Sequence, residues 1–101
     1  MTTFRLSRRA EDDLTDIGIH TLNQRGERQT VRYIDNLESC CQKIADNPAA
    51  RRPCDYIRPG LRRMEQGSHV IFFRRTGKDI VVIRILHKKM LPEANESDET
   101  T

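Results

Sequence analysis

The chain has 101 residues, enough for one small domain, and a third of its side chains are charged. No stretch approaches the roughly 18 continuous apolar residues of a membrane helix. MTTFRLSRRAEDD also lacks an apolar signal region, so a cytoplasmic protein with no membrane partner is expected. The net charge of +3 hides an asymmetry. Residues 1–50 carry 7 basic and 8 acidic side chains, residues 51–91 carry 11 and 3, and residues 92–101 carry 4 acidic and none basic. Such a cationic block attracts polyanions, either nucleic acid or an acidic protein segment, although its commonest meaning is a solvated basic face. The three cysteines, Cys40, Cys41 and Cys54, are odd in number and lack C-x-x-C spacing. They are therefore expected to be small core residues in a reducing compartment, not a disulfide framework or a metal site.

In chain order, TFRL at 3–6 alternates and predicts a short strand. Ser7 is suited to cap a helix, with Glu11, Asp12 and Asp13 in its first turns, where carboxylates complement the dipole. Ala10, Leu14, Ile17 and Thr21 fall at helical spacing and predict the inward face; Gly18 among them suggests close approach of a neighbouring helix. Gly26 predicts the stop. A second helix is expected from Glu27 to Asp46, with Val31, Ile34, Leu37, Cys41 and Ile44 as its apolar stripe, ended by Asn47-Pro48. Residues 48–60 hold three prolines and a glycine and read as a connector. Three strands follow, at 61–65, 68–75 and 80–87, the last two joined by a turn around Gly77. Residues 1–91 form one domain on this reading, and 92–101 form an acidic, disordered tail. The order β-α-α-β-β-β predicts an α+β fold in which a helical hairpin packs on one face of a curved, mainly antiparallel sheet.

VVIRILHKKM, residues 81–90, carries the chemistry worth arguing. Simple alternation puts Val81, Ile83 and Ile85 on one strand face and Ile80, Val82, Arg84 and Leu86 on the other. The first set is assigned to the helices, which leaves Arg84 on the open face near Arg62, Arg63 and Arg74. Arginine forks fit carboxylates and phosphates alike, so these residues suit an acidic peptide or RNA, or Arg84 simply pairs with a carboxylate of its own chain. RNA cleavage would need an acid and a base, for which His87 and His69 have suitable intrinsic range, whereas His20 is expected on the surface. No aromatic follows the basic block to stack a base. Glycine-rich phosphate loops, metal-ligand clusters and serine elbows are missing from the sequence, and Asp12, Asp13 and Asp16 read as a solvated face.

LSRRAEDDL, YIDNLESCCQKIADNP, RPGLR, HVIFFR and IVVIRILHKKM together resemble the ParE branch of the RelE/ParE superfamily of bacterial toxins over nearly the whole chain; the last three are the more specific. The resemblance implies the same fold and a toxin of a type II toxin–antitoxin pair. It further implies a non-catalytic inhibitor that traps DNA gyrase on cleaved DNA, needs no cofactor or metal and reads no nucleic-acid sequence. An acidic cognate antitoxin, with a segment that folds on binding, would neutralise it in a hetero-oligomer. On that expectation Arg62, Arg63, Arg74 and Arg84 engage the antitoxin, Val82 and Leu86 give it an apolar foothold, and His87, Lys88, Lys89 and Met90 face the target. RelE-type relatives instead cut messenger RNA on the ribosome, which here would place His87 and Arg84 in the catalytic roles. KKML follows His87 where many relatives carry glutamine-arginine-methionine-aspartate, and Phe73 stands where tyrosine is frequent.

Overall fold

The structure, a computed structural model, describes residues 3–47, 52–53, 60–77 and 79–91. The elements are β1 (Phe4–Leu6), α1 (Arg8–Arg25), α2 (Glu27–Asp46), β2 (Arg52–Pro53), β3 (Arg62–Gln66), β4 (His69–Thr76), β5 (Asp79–His87) and a closing 3-10 turn (Lys88–Met90). The sheet order is β1-β5-β4-β3-β2, with β1 parallel to β5 and every other pair antiparallel. The α+β arrangement expected from the sequence is therefore the one observed. The two-residue β2 lies inside what was expected to be only a connector. Cys54 and the acidic tail at 92–101 lie outside the described residues.

Local chemistry sets the helix boundaries. The Ser7 hydroxyl accepts the Ala10 N–H at 3.1 Å, and so caps α1, while donating to the Ile83 carbonyl at 2.8 Å. Gly26, at φ +84 and ψ 175, ends α1 and starts α2 in a backbone region that is essentially glycine's own. The hairpin then lays one stripe on the sheet. Ala10 and Ile17 of α1 and Leu37, Cys40, Cys41, Ile44 and Ala45 of α2 are buried against Ile71, Phe73, Ile80, Val82 and Ile85. Burial pushes the Cys41 thiol up to about 12, which leaves it an inert core residue. Two helical expectations need correction. Val31 is 55% exposed, so the buried stripe of α2 does not include it. Gly18 has no neighbour within 4 Å of an added Cβ, so no helix approaches it closely.

The largest correction concerns strand phase. Phe72 pairs with Arg84 but Phe73 pairs with Val82, so Ile83 is an extra residue, a β-bulge in β5. Alternation restarts at the bulge. Ile80 and Val82 face the helices before it and Ile85 after it, while Ile83 and Leu86 belong to the opposite face. The expected helical set of Val81, Ile83 and Ile85 is correct only at Ile85. The far face is not bare either: Leu61, Val70, Phe72 and Leu91 form a second buried cluster there, with Ile83 and Leu86 packed against it.

Candidate functional site

The bulge also decides which side chains meet at the two sensitive places on β5. One lies on the outer edge. β1 covers β5 only along Ile80–Val82, and beyond that the edge would present unpaired backbone groups. Side chains supply the missing partners. Ser7 caps the Ile83 carbonyl, and the Asp13 carboxylate accepts the Ile85 N–H at 2.9 Å. The same carboxylate takes Arg84 in a two-pronged grip, from Nε at 2.7 Å and from Nη2 at 3.0 Å. Asp13 thus stands in for a neighbouring strand and neutralises the arginine inserted among aliphatics. The pairing raises Arg84 above its ordinary pKa, through the Asp13 hydrogen bonds first. The pair is only partly buried, with side chains 28% and 14% exposed. Of the three meanings open for Arg84, the internal carboxylate is the one realised. Asp13, expected as part of a solvated face, is its partner.

The second place is the end of the β4–β5 hairpin. His69 lies directly opposite His87, and their rings meet edge to face with centroids 5.2 Å apart. Had the Phe73–Val82 register run on with no bulge, His69 would face Leu86. Tyr33 of α2 closes the group: its hydroxyl lies 2.5 Å from His69 Nδ1 and accepts the Ser68 N–H at 3.2 Å. Burial first, then the neighbouring His87 and His20, holds His69 below its ordinary pKa, and burial raises Tyr33, so both are neutral at pH 7. Gly67, at φ +59, lets the β3–β4 turn pass under the Tyr33 ring. A cleft of about 420 Å³ opens here between the helices and the strand ends. His20, exposed as expected, belongs to its wall. Among the described residues, no group of three or more His, Cys, Asp or Glu side chains could hold a metal ion.

The remaining expected site residues are scattered. Arg74 is exposed on β4. Arg62 is opposite Phe73 and Arg63 opposite Phe72, so they project to different faces of β3. Arg63 is only 8% exposed, because β2 flanks it at Arg52 and β4 at Phe72; it is not the surface arginine expected. Val82 is fully buried under the helices, the consequence of the phase change, and offers no foothold to a partner. Leu86 remains partly accessible on the opposite face. At the end of β5 the chain turns sharply. His87 Nδ1 accepts the Lys89 N–H at 3.1 Å, Lys88 pairs with Glu65 at 3.3 Å, and Met90 is left 61% exposed beside Lys89. Sequence reasoning missed Asp13 and Tyr33. Both act across more than 30 residues of separation, with partners chosen by the bulge and by where β1 stops.

Comparisons with known proteins agree with this architecture. The family model described as ParE toxin of type II toxin–antitoxin system, parDE, matches residues 4–92. Toxin ParE1 of Caulobacter vibrioides is 38% identical over 95 residues, covering 94% of this chain and 98% of that protein. Toxin ParE1 of Mycobacterium tuberculosis is 37% identical over 93 residues, covering 91% and 95%. Among solved structures, a chain from the chromosomal ParDE toxin–antitoxin system of P. aeruginosa superposes with a TM-score of 0.73 at 25% identity, covering 86% of this chain and 96% of that one.

Proposed function

Because the chain belongs to the ParE toxin family and is the toxin component of a ParDE-type toxin–antitoxin system, we propose that it acts by gripping another protein, with DNA gyrase as its target and no bond-breaking of its own. The observation that carries this is the state of Arg84. Arg84 Nε and Nη2 are both held by Asp13, so the arginine that the RNA-cleaving alternative would pair with His87 is already engaged within the chain. The target-facing surface is the turn after β5, where Met90 and Lys89 stand exposed beside His87 and Lys88. An exposed methionine preceded by two lysines suits an apolar anchor within an acidic surround.

The antitoxin is the other partner, in a cytoplasmic hetero-oligomer. Arg74 and Leu86, on the sheet face away from the helices, receive its acidic segment; Arg62 projects with Phe73 to the helix side of β3 and stands apart from them, and Arg84 contributes only by closing the β5 edge. That closure has a consequence for docking. With Ser7 and Asp13 bonded to the outer edge of β5 past Val82, strand addition to the sheet is directed to the other edge, where β2 pairs with β3 only at Arg62 and Arg63.

Purified toxin added in excess to gyrase and relaxed plasmid should stop supercoiling and accumulate linear DNA. Normal supercoiling without linear product removes the gyrase target. The juxtaposition of His69 and His87 favours one second reading, ribosome-dependent messenger RNA cleavage with His87 as acid or base. It requires cut messages in a translating extract that vanish with His87→Ala.

A further inference from the structure

We propose that the cleft framed by Tyr33, His69 and His87 binds the phosphate monoester of a free mononucleotide. His87 Nδ1 is taken by the Lys89 N–H at 3.1 Å. The Tyr33 hydroxyl receives the Ser68 N–H, and we assign its own proton to the nearer of its two acceptors, His69 Nδ1 at 2.5 Å over the Gln66 carbonyl at 3.4 Å. With both Nδ1 atoms accepting, each neutral imidazole carries its proton on Nε2. The two rings therefore bring donors to the cleft wall, not acceptors.

The rest of the wall has the same polarity. Arg25, in the last turn of α1, and Arg32 of α2 line the cleft from its two helical sides, and both are exposed. Gln24, Gln29 and Asn36 add amides, and Thr21 and Ser68 add hydroxyls. No carboxylate of the described residues lines this cleft. Asp13 and Asp16 line an adjoining cavity of about 280 Å³, which shares His20, Thr21, His69 and His87 with the cleft. Asp13 there is already engaged by Arg84. Two guanidiniums, two imidazole donors and no anion describe a receptor for a compact dianion.

Size and titration favour a nucleotide monoester over a lone carboxylate. The volume of about 420 Å³ lies within the usual range of small-ligand sites. The second ionisation of a phosphate monoester falls near pH 6, close to that of imidazole, so the dianion and a protonated histidine coexist in the same range. Burial and the facing His87 and His20 depress protonation of the empty His69. A dianion in the cleft reverses that balance, with Arg25 on α1, Arg32 and Tyr33 on α2, and His87 on β5 as the other groups around it. Protons are then taken up on binding, and affinity rises as pH falls through the histidine range.

The test is a titration of the full chain with adenosine 5′-monophosphate, followed by the histidine ring resonances in NMR and by calorimetry. The expected result is a saturable shift of His69 and His87 at up to about millimolar ligand. Adenosine without phosphate should give none, and affinity should strengthen severalfold between about pH 8 and about pH 6. Arg25→Gln with Arg32→Gln, both exposed helix positions, should weaken binding about tenfold or more without altering the thermal melt. Arg5→Gln, exposed on β1, should leave it unchanged. Unmoved histidines, an equal response to adenosine, or full affinity in the double arginine variant each overturn the proposal. A 5′-phosphorylated trinucleotide identifies the source of the monoester. Similar or weaker affinity than the mononucleotide keeps the assignment; a preference above about tenfold overturns it and gives the cleft to a strand end. The readout is direct binding, so a negative result leaves the gyrase reading standing.

Discussion

Asp13 serves two clients, and its removal should therefore cost more than removal of either. In Arg84→Ala the carboxylate keeps the Ile85 N–H at 2.9 Å and loses only the guanidinium. In Asp13→Ala both the guanidinium and that backbone N–H lose their acceptor at a partly buried edge. Leaving a buried donor unsatisfied costs more than removing a pair together. We expect Asp13→Ala to lower the unfolding free energy by about 2–4 kcal/mol and Arg84→Ala by about 1–2 kcal/mol, with the pair non-additive in a double-mutant cycle. Urea denaturation of the four proteins decides it; equal losses, or simple additivity, would show that Asp13 is not the edge's acceptor. Nothing near Arg84 in the sequence announces this partner, which stands 71 positions away. The general possibility of a carboxylate was legible in the residue type. Which carboxylate was not, because it depends on β1 ending at Leu6 and leaving the next stretch of β5 uncovered.

Elements defined by local chemistry were readable, and those defined by a neighbour were not. Ser7 and Gly26 mark the helix ends by capping and by a special backbone conformation, and both act within four residues. The phase of β5 hangs on one inserted residue, Ile83, which has no glycine or proline to signal it and differs from its neighbours in nothing but position. Period-two reasoning holds on each side of a bulge and fails across it. Because the bulge leaves Ile83 out of the ladder, His69 falls opposite His87 and the two form the cleft's wall. The β3–β4 turn is the other device at that end. A Cβ on Gly67 would lie 2.9 Å from both Cε1 and the hydroxyl oxygen of Tyr33, at φ +59. Tyr33 cannot yield easily, since its hydroxyl is tied to His69 and Ser68. Gly67→Ala should therefore destabilise by about 2–4 kcal/mol, combining backbone strain with overpacking. Gly77→Ala, at φ +66 with open space around it, should cost only about 1–2 kcal/mol of strain. Thermal melts distinguish the two, and the His69 ring resonance should move only in the Gly67 variant. Equal melts with an unmoved resonance would mean that the tyrosine does not rest on the turn.

At the scale of the whole molecule the two layers differ in charge. The helices, residues 8–46, carry six basic and eight acidic side chains, whereas the described residues from 60 to 91 carry seven basic and two acidic. The protein is thus polarised across its thickness, with the cationic layer on the sheet side. A field of this shape acts before contact: it raises the rate at which an acidic partner meets the sheet, and salt screens it over roughly 8–10 Å at physiological strength. Close pairs formed afterwards are screened less, so dissociation should respond weakly. Binding of the cognate antitoxin should therefore lose about tenfold or more in association rate between low and high salt, with a smaller change in dissociation rate. Reversing charge on the sheet side, Arg74→Glu, should flatten that salt dependence, and Arg28→Glu, on the exposed helical side, should not. Stopped-flow mixing over a salt series measures both. A salt-independent association rate would mean that the antitoxin finds the toxin through apolar contact alone, and that the imbalance legible in residues 51–91 serves the target and not the partner.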